Sequence, residues 1–203
     1  MLSLVVYNIQ MENLIESQEA KDFFVWIDPK YFLIVNNLIN LKTLFSMPGD
    51  TADNLMFVPN PAFQGFISPF QANLLWNYKA EYNLELHRRQ YFDIYPSRMT
   101  SLFLFESDSE AIKYSKHNPE IALRRELKHL TTHGSYRFSR HDLSWVDFLR
   151  LPHGALDDTL YPVCDSYWRG IKVEECTLSS CRQSWTQSPI IEILYEGTVK
   201  LLG

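Results

Sequence analysis

Between Phe70 and Phe92 the apolar side chains Leu74, Leu75, Tyr78, Tyr82 and Leu86 recur every three or four positions. No Gly or Pro interrupts them, and Pro96 lies just beyond. That period predicts the clearest helix of the chain. Tyr31 to Phe45 carries Leu38, Leu41, Leu44 and Phe45 at helical spacing before Pro48-Gly49-Asp50 stops it. Other apolar runs have strand length: Asn54 to Val58, Leu102 to Phe105 and Tyr136 to Phe138, with Leu2 to Ile9 a strand or the start of a helix. After Phe105 the residues Ser107-Asp108-Ser109-Glu110 supply a cap for a helix beginning near Ala111, and Ser144 to Leu149 reads as a short helix. From Pro189 to Leu202 the pattern predicts two strands hinged at Glu196-Gly197. Helices early and strands late define an α+β class with a mainly antiparallel sheet.

Composition narrows this further. The chain has 203 residues, 46% of them hydrophobic, 14% aromatic and 21% charged, with 7 glycines, so it buries enough apolar surface to offset the ordering entropy of folding. Intrinsic disorder, collagen and a disulfide miniprotein are excluded, and the length suits one domain over residues 1–203. Cys164, Cys176 and Cys181 are odd in number, at spacings that fit neither a zinc knuckle nor a disulfide framework, and read as reduced thiols of a cytoplasmic protein. The N-terminus lacks the basic region of a signal peptide. No run approaches the roughly 18 to 20 apolar residues that cross a bilayer, so no membrane association is expected.

A net charge of −5 argues against nucleic-acid binding through the bulk field, but the charge is uneven. Residues 1–60 hold seven acidic side chains against three lysines, whereas Lys113 to His141 holds seven Lys or Arg against Glu120 and Glu126. That basic stretch reads either as a solvated helix face followed by a turn or as a contact surface for a polyanion. In the second reading Arg124, Arg125, Lys128 and Arg137, interleaved with Tyr136, Phe138 and Trp145, would pair with phosphates and stack on bases.

Three segments carry candidate chemistry. Glu192 stands among Ile190, Ile191, Ile193 and Leu194, where a carboxylate is costly unless it has a partner or a task. Simple alternation offers the other reading, with Glu192 on a wet face and Ile191 and Ile193 in the core. Tyr95-Pro96-Ser97-Arg98 is a rigid turn delivering Ser97, Arg98, Thr100 and Ser101 to the mouth of a strand. An Arg beside hydroxyls suits a phosphate or pyrophosphate, although an exposed turn Arg is the simpler explanation. The Tyr167-Trp168 pair suits a planar ring or a core anchor. His141-Asp142 invites a dyad, but adjacent residues of an extended chain point to opposite faces. No Gly-rich phosphate loop, metal-ligand histidine pair or nucleophile elbow occurs.

The segment from Glu85 to Tyr114, ELHRRQYFDIYPSRMTSLFLFESDSEAIKY, taken with YWRG at Tyr167 to Gly170 and the terminal IIEILYEGTVKLL, resembles small bacterial and phage proteins of the ADP-ribosyltransferase superfamily. The final segment is also similar to the end of DarT-type toxins. The resemblance covers residues 85–203, with residues 1–60 partly divergent. It implies two packed, mainly antiparallel sheets forming an NAD cleft with flanking helices, and NAD as co-substrate. By position it makes Glu192 the catalytic carboxylate with Arg98 beside it. Ser97, Arg98 and Ser101 become NAD contacts, Arg88 and Arg89 phosphate contacts, and Trp168 a further cofactor contact. The implied activity is mono-ADP-ribosyl transfer by a toxin or phage-conflict effector, onto RNA, single-stranded DNA or a protein. A neutralising antitoxin would be a partner, met by the acidic N-terminal 60 residues. The early His or Arg strand motif of the superfamily is not visible. Phe32 to Leu41 resembles the segment that would carry it, with only Asn36, Asn37 and Asn40 polar. That departure supports the rival reading, a non-catalytic protein of the same fold that senses a nucleotide or grips a partner.

Overall fold

The 17-residue strand Glu126–Asp142 is the spine of the molecule. The computed structural model describes residues 13–30, 42–46, 69–150, 157–175 and 188–202. Within them lie the strands β1 (Leu14–Ser17), β2 (Asp22–Ile27), β3 (Thr43–Phe45), β4 (Leu102–Leu104), β5 (Glu126–Asp142) and β6 (Ile191–Leu201). The helices are α1 (Pro69–Tyr91), α2 (Asp108–His117), α3 (Pro119–Arg124), α4 (Ser144–Leu149) and α5 (Asp157–Trp168).

All six strands belong to one antiparallel sheet rather than the two sheets expected. β5 pairs along one side with β2 through its first half and with β1 through its second, and along the other side with β6. β6 in turn carries β3 and β4 on its far side. The order β2-β5-β6-β4 then closes on itself, because Phe24 and Phe105 exchange backbone hydrogen bonds of 2.8 Å in both directions. Glu106, next to the closure, accepts from Arg140 of β5 at 2.6 and 2.8 Å and pairs with Lys21 at 2.8 Å.

Alternation along the strands divides the core in two. Phe23, Leu44, Leu104, Leu130, Phe138, Ile193, Tyr195 and Val199 form a cluster contributed by strands alone. Leu194, Ile190 and Phe105 face the other way, into a second cluster with Leu84, Trp145, Val163, Tyr167 and Trp168 from α1, α4 and α5. Each fully buried side chain of this size contributes about 1.5–3 kcal/mol. The indoles meet their one polar obligation by donating to carbonyls: Trp26 to Ala111, Trp145 to Ile171 and Trp168 to Leu84.

Several expectations correspond to observed elements. The predicted helix is α1, the run at Leu102 is β4, and α4 spans Ser144–Leu149. Ser107 caps α2, its hydroxyl accepting from the Glu110 amide at 3.1 Å. Others are corrected. Tyr136 to Phe138 is part of β5, and the terminal segment is one strand rather than two. The basic stretch is not a helix face and turn but α2, α3 and then the whole of β5. Thr43–Phe45, expected to end a helix, is a strand, while the predicted elements at residues 2–9 and 54–58, and residues 31–41 of that predicted helix, lie outside the described residues. Among the described residues no helix is long and apolar enough to cross a membrane. Cys164 is buried and unbridged, and Cys176 and Cys181 lie outside the described residues.

The expected hinge at Gly197 has a physical counterpart. The β5–β6 register slips between His133 and Arg137, with Gly134 at φ +78° on one strand and Gly197 at φ +143° on the other. A Cβ at Gly197 would stand 2.8 Å from the Tyr136 Cβ and 3.0 Å from the Tyr195 hydroxyl. Gly197→Ala is therefore expected to destabilise the fold by about 1–3 kcal/mol, read as a lower urea midpoint at unchanged m-value. A midpoint equal to that of the parent would show that the bend tolerates a side chain.

Candidate active site at Arg98 and Glu192

Glu192, the second residue of β6, shares the face of Leu194. That face is roofed by helices, so the wet-face reading of the alternation does not hold, and Glu192 is 3% exposed. Its carboxylate meets Arg98, which enters from the turn before β4. Arg98 Nη1 donates to Glu192 Oε1 and, at 2.6 Å, to the Tyr167 hydroxyl, which itself donates to Glu192 Oε1 at 2.9 Å. The other edge of the guanidinium grips Glu81 of α1, Nε to Oε2 at 2.7 Å and Nη2 to Oε1 at 3.1 Å. Arg150, just past α4, also donates to Glu81 Oε1 at 3.1 Å. The Phe103 and Tyr167 rings lie 4.9 and 5.4 Å from the guanidinium carbon.

The two carboxylates around Arg98 are not equivalent. Burial pushes the Glu192 carboxyl above its ordinary range, and the Arg98 charge and the Tyr167 bond only partly oppose it. Glu81 is buried too, but Arg98 and Arg150 outweigh that and hold it low. Burial also works against the charge on Arg98, which Glu192 and Glu81 overcome, holding the guanidinium firmly protonated.

A second network one helical turn along α1 fixes the turn that carries Arg98. Glu85, fully buried, accepts from Arg88 at 3.0 and 2.9 Å, from Arg89 at 3.2 Å and from the Ser97 hydroxyl at 2.8 Å. Arg88 also donates to the carbonyls of Asp93 and Tyr95 at 2.8 and 3.0 Å. The amides of Thr100 and Ser101 then close onto the Ser97 carbonyl. Tyr95 is held from outside the turn by its hydroxyl bond to Asn13, 2.6 Å.

Beside Glu192 opens a cavity of about 410 Å³. Its walls are the apolar and aromatic Val25, Trp26, Phe103, Phe105 and Tyr114; its polar lining is Glu81, Arg98, Ser101, Arg125, Arg150 and Glu192. Ser101 Oγ is buried without a hydrogen-bond partner. Both bonds to Glu192 end on Oε1, so Oε2 is uncommitted among the described residues.

Of the residues singled out in the sequence, the fold brings Glu192, Arg98, Ser101 and Arg125 to this cavity. Ser97, Arg88 and Arg89 are spent on Glu85 instead of lining it, and Trp168 is a core anchor on the Leu84 carbonyl. Arg124 is exposed at the end of α3, and Lys128 pairs with Glu126. Arg137 pairs with Glu196 at a separate, larger hollow of about 760 Å³ around the β5–β6 slip. Glu81, Tyr114, Arg150, Trp26 and Phe103 were not foreseen, and Tyr167, expected to stack on a ring or anchor the core, instead donates to Glu192. Tyr167 stood beside the chosen Trp168, and Glu81 precedes Glu85 by one helical turn.

His141 and Asp142 are structural. Asp142 accepts from the amides of Ser144, Val173 and Ile190. His141 bridges the Tyr167 carbonyl and the Ser139 hydroxyl at 2.8 and 2.7 Å. Among the described residues no group of His, Cys, Asp and Glu could hold a metal ion. Searched against protein-family models the chain matches none, and no curated protein matches it.

Burial drives the His141 imidazole down to about 3, against the bond to the Tyr167 carbonyl. The folded state thus refuses a proton that the unfolded chain accepts near pH 6.5. Stability from this group is complete above that pH and is lost as pH falls from 6.5 towards 3, at about 1.4 kcal/mol per unit. Urea midpoints should fall between pH 7 and 5 in the parent and fall less in His141→Gln, which starts lower. Parallel curves would remove His141 as the cause.

Proposed function

We propose that the chain is an NAD-dependent mono-ADP-ribosyltransferase working at the Glu192 cavity. The observation that carries this reading is a buried carboxylate with one oxygen anchored by Arg98 and Tyr167 and the other uncommitted beside an apolar-walled cavity. The residues present suit the ligand. Trp26, Phe103 and Tyr114 offer flat faces to an aromatic ring, the unpaired Ser101 hydroxyl offers a hydrogen bond to an amide, and Arg125 offers charge to phosphate.

The chemistry asks for little more. The N-glycosidic bond breaks with its electron pair leaving on nicotinamide, and positive charge develops on the ribose. A carboxylate in a site of low dielectric stabilises that charge and takes the proton of the incoming acceptor as it bonds to the anomeric carbon. The raised affinity of Glu192 for a proton favours the second role. The acceptor is RNA, single-stranded DNA or a protein; Arg125 on the cavity wall and the neighbouring Arg124 are both exposed, which suits an acidic one. The setting is that of a toxin or phage-conflict effector in the cytoplasm, with an antitoxin as partner.

One observation favours the rival, a nucleotide sensor without catalysis: Glu192 is only 3% exposed and is ion-paired with Arg98. Incubation of the protein with labelled NAD and separate pools of RNA, single-stranded DNA and lysate, beside Glu192→Gln, separates the two. Transfer should enter one pool and fall at least about 100-fold in the variant. NAD bound but left intact in every pool would favour the sensor.

A further inference from the structure

The Glu81–Arg98–Tyr167 chain ends on a single oxygen of Glu192, which is more than charge neutralisation requires. Arg98 alone, donating with both Nη1 hydrogens, would neutralise the carboxylate. Instead one of those hydrogens goes to the Tyr167 hydroxyl, and that hydroxyl donates in turn to Oε1, the atom Arg98 already holds. Arg98 is prevented from swinging by its side-on grip on Glu81, whose Oε1 Arg150 also holds. Tyr167 is itself packed on every side: it is fully buried in the helix-side core, stacked on His141 at 4.5 Å and set edge-on to Trp168 at 5.0 Å.

We propose that Tyr167 is a positioning residue for Glu192: with Arg98 it pins Oε1, fixes the carboxylate torsion and presents Oε2 to whatever occupies the cavity, while Glu81 sets how much of Arg98 is left for Glu192. This rests on the transferase reading for its purpose but not for its geometry. The two partners act on Glu192 in opposite senses. Tyr167 supplies a proton donor that favours the anion. Glu81 competes for Arg98 and adds a like charge, so it disfavours the anion. The charged or titratable groups around Glu192 are Arg98 from the turn, Tyr167 from α5, Glu81 from α1, Tyr114 from α2, Arg125 after α3, Arg150 after α4 and His141, its register partner on β5. Of these only Tyr167 and Glu81 are changed in the test below.

The test is a carbon-13 NMR titration of glutamate carboxyls in the full chain, with Glu192→Gln assigning the resonance. Losing a hydrogen bond to an ionised group moves a midpoint by about one pH unit. Tyr167→Phe, which keeps the ring and its stacking, should raise the Glu192 midpoint by about that much. Glu81→Gln should lower it. Where NAD is turned over, Tyr167→Phe should also lower kcat at unchanged KM and move the acid limb of the pH–rate profile upward. A side chain that only packs would change stability and leave the midpoint where it was. An unmoved midpoint in Tyr167→Phe, or shifts of the same sign in both variants, overturns the proposal; should Tyr167→Phe fail to fold, the sign in Glu81→Gln decides alone. If NAD is never cleaved but the opposed shifts appear, the transferase reading fails and the positioning device stands.

Discussion

A carboxylate on a sheet face that helices cover has to be neutralised where it stands, and the arrangement around Glu192 follows from that. An unpaired ion in such a place costs several kcal/mol even after relaxation. The partner must therefore be brought to it, and no neighbour on β6 can serve, since Ile191 and Ile193 project to the other face. Arg98 reaches it from the turn before β4, and the turn is held by α1. Replacing such a pair by well-packed apolar side chains is often neutral or stabilising. Stability alone therefore gives no reason for Glu192, Arg98, Glu81 and Arg150 to be charged here, and the adjoining cavity gives one.

Helix α1 does this work with two carboxylates one turn apart. Glu81 and Glu85 lie on the same stripe as the buried Ala80 and Leu84. The first grips Arg98; the second grips Arg88, Arg89 and Ser97. Position and charge are thus divided: Glu85 and Arg88 fix the backbone of the turn, leaving Arg98 to be aimed. Arginine is suited to both places because its planar fork can donate to two acceptors on separate edges, as Arg98 does to Glu81 and Glu192.

Local pattern was enough for α1, β4, the Ser107 cap and α4, since each rests on interactions within a few residues. It failed for β5, whose polar and exposed residues His129, His133, Gly134 and Ser135 break the period. The strand exists because of partners 99 to 125 residues earlier, Leu14–Ser17 and Asp22–Ile27, a pairing no local window contains. The site was legible to the same degree. Glu192 and Arg98 stood out because charge in an apolar run, or beside a rigid turn, is chemically conspicuous. Tyr167 did not, because either ring of the Tyr167-Trp168 pair could turn towards the sheet, and helix phase decides between them. Arg88, a phosphate contact by resemblance, is instead consumed by Glu85 three residues before it on α1.

The segment before α1 matters more to the site than its divergence suggested. Residues 85–203 supply Arg98, Glu192, Tyr167 and Phe103, but the cavity also needs the wall opposite them. Val25 and Trp26 provide that wall, placed there when the Phe24–Phe105 bonds close the sheet and the Trp26 indole fastens to α2 at Ala111. Asn13 does the same for the turn, accepting from Tyr95 while donating to the carbonyls of Arg140 and Trp168. The Cβ of any residue replacing Gly170 would collide with that asparagine, 2.9 Å from its amide nitrogen. Asn13 and β2 are thus part of the frame that shapes the cavity, and a partner that pulled β2 from β5 would dismantle one side of it without touching the charges around Glu192.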